Sequence, residues 1–324
     1  MKEDTASKKP SYEKFHYGLR TAKNIERKML CEAFQRLSVI DRLDRYRYIG
    51  FGSTYFTDFI LFHKCLGFTD MVSIEYNEKD ADRFRFNCPF RCIKVQFGSS
   101  TNVLPVLNWH KKSILWLDYD YPLDASVLTD ISFFCTKAVA GSILLVTVDA
   151  QPGDNKENDK NRLERLQDRV GIEKVPAGIK KNELAGRWGT ATVSQKLITN
   201  EIDQILSARN GMLSMSNRIQ YKQLFNFHYA DVAEMLTVGG ILYDNSLSEK
   251  VRQCAFDSLD FVRTKDAPCL IEAPNLTYRE LRYLDSQMPL KRHRRLKSPG
   301  VSDDAIEKYK KVYRYFPTFV EADI

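Results

Sequence analysis

The chain has 324 residues, 43% of them hydrophobic and 28% charged, a composition that excludes a disordered or fibrous protein and suits one large domain or two ordinary ones. No apolar run approaches the ~20 residues of a membrane helix, and no apolar segment follows the basic residues of "MKEDTASKKPSYEKF", which argues against a secretory signal and for a cytoplasmic protein. The formal net charge of +7 favours an anionic partner. Seven cysteines without a framework read as reduced thiols. The closest pair, Cys88 and Cys92 in "CPFRC", is spaced too widely for a zinc knuckle and has no second pair nearby, so no metal site is assigned.

In chain order, the first fifteen or so residues read as disordered. From about 17 to 37 the spacing of Ile25, Met29, Leu30, Ala33, Phe34 and Leu37 predicts a helix, with Arg20, Lys23 and Arg27 along another face, where they would contact substrate phosphate. Short apolar strands then alternate with helical segments. "YIGFG" (48–52), "MVSIEY" (71–76), "IKVQFG" (93–98), "SILWLDYDYP" (113–122) and "SILLVTVDA" (142–150) read as strands. The segments 55–67, 78–88 and 124–141 between them read as helices, with a short helix or turn at 100–108. This alternation predicts a mostly parallel sheet covered on both faces, with ligands beyond the carboxyl ends of the strands.

A polar loop at "QPGDNKENDKNR" opens a helical insertion, about 151–215, in which Trp188 stands between Gly186 and Gly189. "IQYKQLFNFHYADVAEMLTVGGILYDN" reads as two strands forming an antiparallel edge hairpin, for seven strands in all. The expected organisation is an N-terminal arm and helix (1–45), a Rossmann-like domain (46–245) and a helical basic extension (246–324). In the extension, Thr277 with Glu280 has the spacing of a capping box and Ser302 that of an N-cap. The run "KRHRRLK" (291–297), with Arg292, Arg294 and Arg295, reads either as a solvated connector or as a phosphate-contacting patch.

The strand ends carry the residues with chemistry. "GFGS" follows the first strand, Glu75 ends the second, "FGSS" follows the third, "LDYDYP" ends the fourth and Asp149 the fifth. Small residues let the backbone approach a ligand, and a carboxylate at the end of the second strand can accept from both hydroxyls of a ribose.

With these residues in place, the chain resembles the class I S-adenosylmethionine-dependent methyltransferases over roughly residues 46–245. More narrowly, "YIGFGSTYFTDF…SIEYNE" is similar to uncharacterised bacterial methyltransferase-like proteins, and "LDYDYP" loosely to the Asp-Pro-aromatic loop of transfer-RNA guanine methyltransferases. The resemblance implies S-adenosylmethionine as cofactor. Gly50, Gly52 and Ser53 would border its methionine moiety, Glu75 its ribose, and Gly98 and Ser99 its adenine. Asp118 would stand on the cofactor side, and Asp120 with Tyr121 on the acceptor side, the two carboxylates on opposite faces of the strand.

The first loop departs from the family pattern. Tyr48 and Ile49 stand where an acidic residue usually precedes the glycines, so the cofactor's ammonium would need Asp118, or its carboxylate Arg20 and Lys23. The expected activity is methyl transfer, with nucleic acid the favoured acceptor. The alternative is a catalytically degenerate scaffold or nucleotide-sensing subunit of a multi-protein bacterial defence or modification system, with a protein partner. A nicotinamide-dependent oxidoreductase is disfavoured because Tyr55 stands where a third glycine is needed.

Overall fold

A computed structural model describes residues 20–151, 162–291 and 294–318. The arm read as disordered lies outside the described residues. Five strands, β1 (Arg47–Gly50), β2 (Asp70–Glu75), β3 (Ile93–Phe97), β4 (Ser113–Pro122) and β5 (Ile143–Asp149), form a parallel array in the order β3-β2-β1-β4-β5. β5 is buried along nearly its whole length and β4 over Ser113–Leu117, as expected of apolar runs covered on both faces, while the end of β4 emerges at Asp120 and Tyr121. β6 (Gln220–Ala230) and β7 (Glu234–Tyr243) form the predicted hairpin, and β7 lies antiparallel to β5. This is the arrangement implied by the methyltransferase resemblance.

The sheet has one strand more than expected. β8 (Cys269–Ile271) pairs parallel to β6, so β8 rather than the hairpin forms that edge. Three residues carry no detectable period in sequence, and only pairing with Phe227–Tyr229 makes them a strand.

Helices α1 (Thr21–Gln35) and α2 (Thr57–Leu66) cover one face. There Phe34, Tyr48, Phe59, Phe62, Trp116 and Phe225 share one core. α2 ends where Gly67 takes φ +72 and its N–H donates to the His63 carbonyl. Short helices α3 (Ala81–Asn87) and α4 (Ser100–Val103) follow β2 and β3. α5 (Ala125–Lys137) and α7 (Gly189–Asn210) cover the second face, burying Leu117, Ile131, Phe134 and Ile198, and α6 (Arg162–Val170) precedes α7 in the insertion. Asp124 caps α5 by accepting from the Ser126 and Val127 N–H groups.

The extension adds α8 (Ser248–Gln253), α9 (Tyr278–Asp285) and α10 (Asp303–Val312). α9 carries the predicted capping box, Ser302 caps α10, and Leu284, Leu296, Ile306 and Tyr309 form a separate small core. Among the described residues no helix is long and apolar enough to cross a membrane.

One feature of the topology organises the site. β6 runs in the same direction as β5, so the turn after it reaches the edge where β1–β5 end. Asp231 in that turn accepts from the N–H groups of Ala22 (2.8 Å) and Lys23 (3.0 Å). α1 has no side-chain cap of its own, so the hairpin turn caps it and anchors its first turn at the ligand-facing edge.

Candidate active site

The loop after β1 folds back onto the end of β2. The Gly52 N–H donates to Ser73 Oγ and to Glu75 Oε1, each at 3.0 Å, and Ser73 Oγ donates to Glu75 Oε1 at 2.6 Å. Two non-glycine residues turn this loop in the left-handed region, Ser53 at φ 49 and Phe56 at φ 47. Each such residue costs about 1–3 kcal/mol and persists where the surroundings enforce it. Gly52 is required for space: a Cβ there would lie 2.5 Å from Ser73 Oγ and 2.8 Å from the Phe56 ring. Glu75 is 5% exposed. Burial pushes its carboxyl up to about 7, against the hydrogen bonds from Ser73 and Gly52 that favour ionisation.

The third strand end joins the same cluster. Gly98, at φ +136, donates its N–H to the Glu75 carbonyl at 3.0 Å. The Ser99 hydroxyl is engaged as the cap of α4, accepting from the Asn102 N–H. Gly50, Gly52, Ser53, Glu75, Gly98 and Ser99 thus lie at three neighbouring strand ends.

At the end of β4, Lys23 Nζ donates to Asp118 Oδ1 at 2.7 Å and to the Tyr229 hydroxyl at 3.1 Å. It also lies 2.9 Å from Glu26 Oε2 and 4.4 Å from the Trp116 ring centroid. This corrects the reading of Lys23 and Arg27 as a phosphate-contacting face, for they are only 1% and 4% exposed. Arg27 faces Asp58, which accepts from the Tyr48 hydroxyl; burial raises the Asp58 carboxyl and Arg27 opposes the rise. Cations spaced along a helix usually mark its wet side, but here acids on β4, α1 and α2 neutralise a face that the helix turns inward. Arg20 is 3.6 Å from Asp231. Arg294 and Arg295 are exposed between α9 and α10, and Arg292 lies outside the described residues.

The expectation for Asp118 and Asp120 had the parity wrong, because residues two apart on a regular strand share a face. What separates them here is a register shift between Asp118 and Pro122: Asp118 engages Lys23, whereas Asp120 is exposed. Asp124, not either of these, caps α5. Tyr121 is 37% exposed, with its ring 5.0 Å from that of Tyr119, and Tyr119 in turn lies 5.2 Å from Phe51. The Tyr119 hydroxyl donates to Asp130 at 2.5 Å, which fixes the middle ring of this aromatic row.

Sequence reasoning passed over Ser73, Asp58 and Asp231. Ser73 had a signal, since it lies two residues before Glu75 and so on the same side of β2. Asp58 and Asp231 had none, because their partners lie 10 and more than 200 residues away.

In overall shape the chain is similar to three solved structures. The O-methyltransferase TomG from Streptomyces achromogenes, in complex with SAM, shares 10% identity at a TM-score of 0.37, over 66% of this chain and 79% of that one. Cofactor-bound Rv0187 from MTB shares 14% at 0.35, over 66% and 80%. Trm1 from Pyrococcus horikoshii, with S-adenosyl-L-methionine, shares 9% at 0.41, over 70% and 58%. At such scores the likeness carries no argument, and the fold rests on the strand order described above. No curated protein matches the chain. Residues 15–324 match the model of one family, described as "Putative O-methyltransferase", and the chain belongs to that family.

Proposed function

We propose that the chain transfers a methyl group from S-adenosylmethionine to an oxygen atom of its acceptor. The observation that carries this reading is the junction in which Glu75, at the end of β2, holds the Gly52 N–H of the glycine loop after β1. Gly50, Gly52 and Ser53 would border the methionine moiety, Glu75 the ribose hydroxyls, and Gly98 and Ser99 the adenine. Asp118, whose carboxylate is partly exposed beside the buried Lys23, offers an acceptor for the ammonium of the methionine end. The acid absent before Gly50 is thereby supplied from β4.

When bound, the cofactor provides a methyl group on a sulfonium centre that a nucleophile displaces. The chain's task is to position and desolvate the acceptor, an effect that can be worth roughly 7–11 kcal/mol. Asp120 accepts the proton of the acceptor hydroxyl, and Tyr121 stacks against the acceptor. The family description supports oxygen as the accepting atom.

Calorimetric titration of wild type and Glu75→Ala with S-adenosylmethionine and S-adenosylhomocysteine tests the cofactor. Binding weakened by the substitution is expected. No binding to the folded wild-type protein would overturn the reading in favour of a non-catalytic scaffold acting with a protein partner. The net charge of +7 and the exposed Arg294 and Arg295 favour nucleic acid as the acceptor. Replacing both arginines by alanine should then lower the salt dependence of nucleic-acid binding by about 2 in slope; an unchanged slope would refute that acceptor surface.

A further inference from the structure

The extension after β8 carries a charged and aromatic surface that the chemistry at the strand ends does not use. On α9, Tyr278, Arg279, Arg282 and Tyr283 are all exposed, the two tyrosines at 57% and 50%. At about 100° per residue these four fall within about 140° of the helix circumference. They lie opposite Leu281 and Leu284, which pack on the small core. Arg279 and Arg282 stand one turn apart as like charges, an arrangement that weakens a helix.

The acids that could offset them are engaged elsewhere. Glu280 accepts from the Thr277 N–H at 2.7 Å in the capping box, and Asp285 accepts from the Tyr309 hydroxyl at 2.5 Å. Among the described residues, the ion pairs after β8 join Lys308 to Glu272 and Asp304, Lys310 to Glu307 and Arg314 to Glu32, and leave out Arg279, Arg282, Arg294 and Arg295. The ring contacts there are Phe261 with Tyr315, Tyr309 with Phe316 and Arg314 over Tyr315, so neither α9 tyrosine has a ring or cation against its face among the described residues.

The connector after α9 adds charge beside it. The Gln287 side chain donates to the Lys297 carbonyl at 2.8 Å and accepts from the Lys297 N–H at 3.3 Å, and Leu296 shares the small core with Leu284. These contacts hold the exposed Arg294 and Arg295 next to the helix. The chain enters the extension from Ile271 at the edge where β1–β5 end, because β8 runs parallel to β6. Four strand spacings, or about 19 Å at about 4.8 Å each, separate β8 from β4. A nucleic-acid strand covers that distance in about six nucleotides at about 3.4 Å each.

Cations alone would suit any polyanion, and the exposed rings narrow the choice. Bases stack on aromatic side chains with little regard to sequence. A duplex keeps its base faces stacked inside it, and an acidic peptide or a lipid headgroup has none to offer.

We propose that α9 and the connector after it form a docking surface for single-stranded nucleic acid, with Tyr278 and Tyr283 stacking on unpaired bases and Arg279, Arg282, Arg294 and Arg295 contacting phosphates. This rests on the nucleic-acid acceptor proposed above and adds that the strand is unpaired where it docks. The test measures fluorescence anisotropy of a labelled uridylate oligomer of about twelve nucleotides with the full-length protein, a length within the usual site sizes. Its duplex with adenylate and phosphatidylserine vesicles are measured as competitors. The oligomer should bind, and the duplex at least about tenfold more weakly. Tyr278→Ala with Tyr283→Ala should weaken oligomer binding at least about tenfold, whereas Phe at both positions should keep wild-type affinity. Arg279→Ala with Arg282→Ala should lower the salt slope by about 1.4. Unchanged affinity in the double Ala variant, an equal loss in the Phe variant, an unchanged salt slope, equal affinity for the duplex or tighter binding to the vesicles would each overturn the single-strand surface. Failure of the wild-type protein to bind either nucleic acid would overturn the acceptor reading with it. Failure of S-adenosylhomocysteine to bind would overturn only the cofactor reading, so the failures are distinguishable.

Discussion

Glu75→Gln should make the protein more stable and less able to bind its cofactor, and the gain should depend on pH. Burial lifts the Glu75 carboxyl from its ordinary 4.5 to about 7. At about 1.36 kcal/mol per pH unit, that rise corresponds to roughly 3 kcal/mol. The folded state holds the proton more tightly than the unfolded chain, so wild-type stability is undiminished below 4.5 and falls as pH rises from 4.5 to about 7. Above 7 the full cost of a buried carboxylate remains.

Glutamine keeps an oxygen to accept from the Gly52 N–H and the Ser73 hydroxyl but cannot ionise, so the variant does not carry this cost. In urea unfolding, the difference in stability between variant and wild type should shift in the variant's favour by up to about 3 kcal/mol between pH 4.5 and pH 8. Affinity for S-adenosylhomocysteine should fall at least about tenfold, the worth of one charge-assisted hydrogen bond to a ribose hydroxyl. A stability difference identical at the two pH values would refute the argument from burial. Unchanged affinity would remove Glu75 from the ribose site.

Lys23→Ala should cost about 3–5 kcal/mol in urea unfolding, because Asp118 and Glu26 lose their shared cation in a buried setting; adding Asp118→Asn should recover part of the loss. Gly52→Ala should lower affinity for S-adenosylmethionine at least about tenfold in calorimetry and cost about 1–3 kcal/mol of stability, since its methyl group would meet Ser73 and the Phe56 ring. Asp231→Ala should cost about 0.5–2 kcal/mol by urea unfolding and loosen amide-exchange protection in the first turn of α1, whose Ala22 and Lys23 N–H groups lose their acceptor.

The β–α alternation, the hairpin and the strand-end residues were readable in the sequence because each follows from a local regularity. Period, flanking glycine and β-branched content identify a buried strand within ten residues, and the order of strands and helices then constrains the crossovers. Gly50, Gly52, Glu75 and Gly98 were found in this way, as strand-end positions. β8 was not, since three residues have no period and become a strand only by pairing with β6.

Which cations are buried was decided by tertiary structure. The line Arg20, Lys23, Arg27 reads as a wet face from spacing, yet Lys23 and Arg27 are buried where Asp118 on β4 and Asp58 on α2 meet them from distant parts of the chain, beside Glu26 of their own helix. The same long-range closure, Asp231 capping a helix 208 or 209 residues away, fixes that helix against the strand ends. A sequence by itself specifies which segments become helix or strand and which strand ends carry chemistry. Which charges face one another, and so which are free for a ligand, depends on contacts between distant residues that no local pattern encodes.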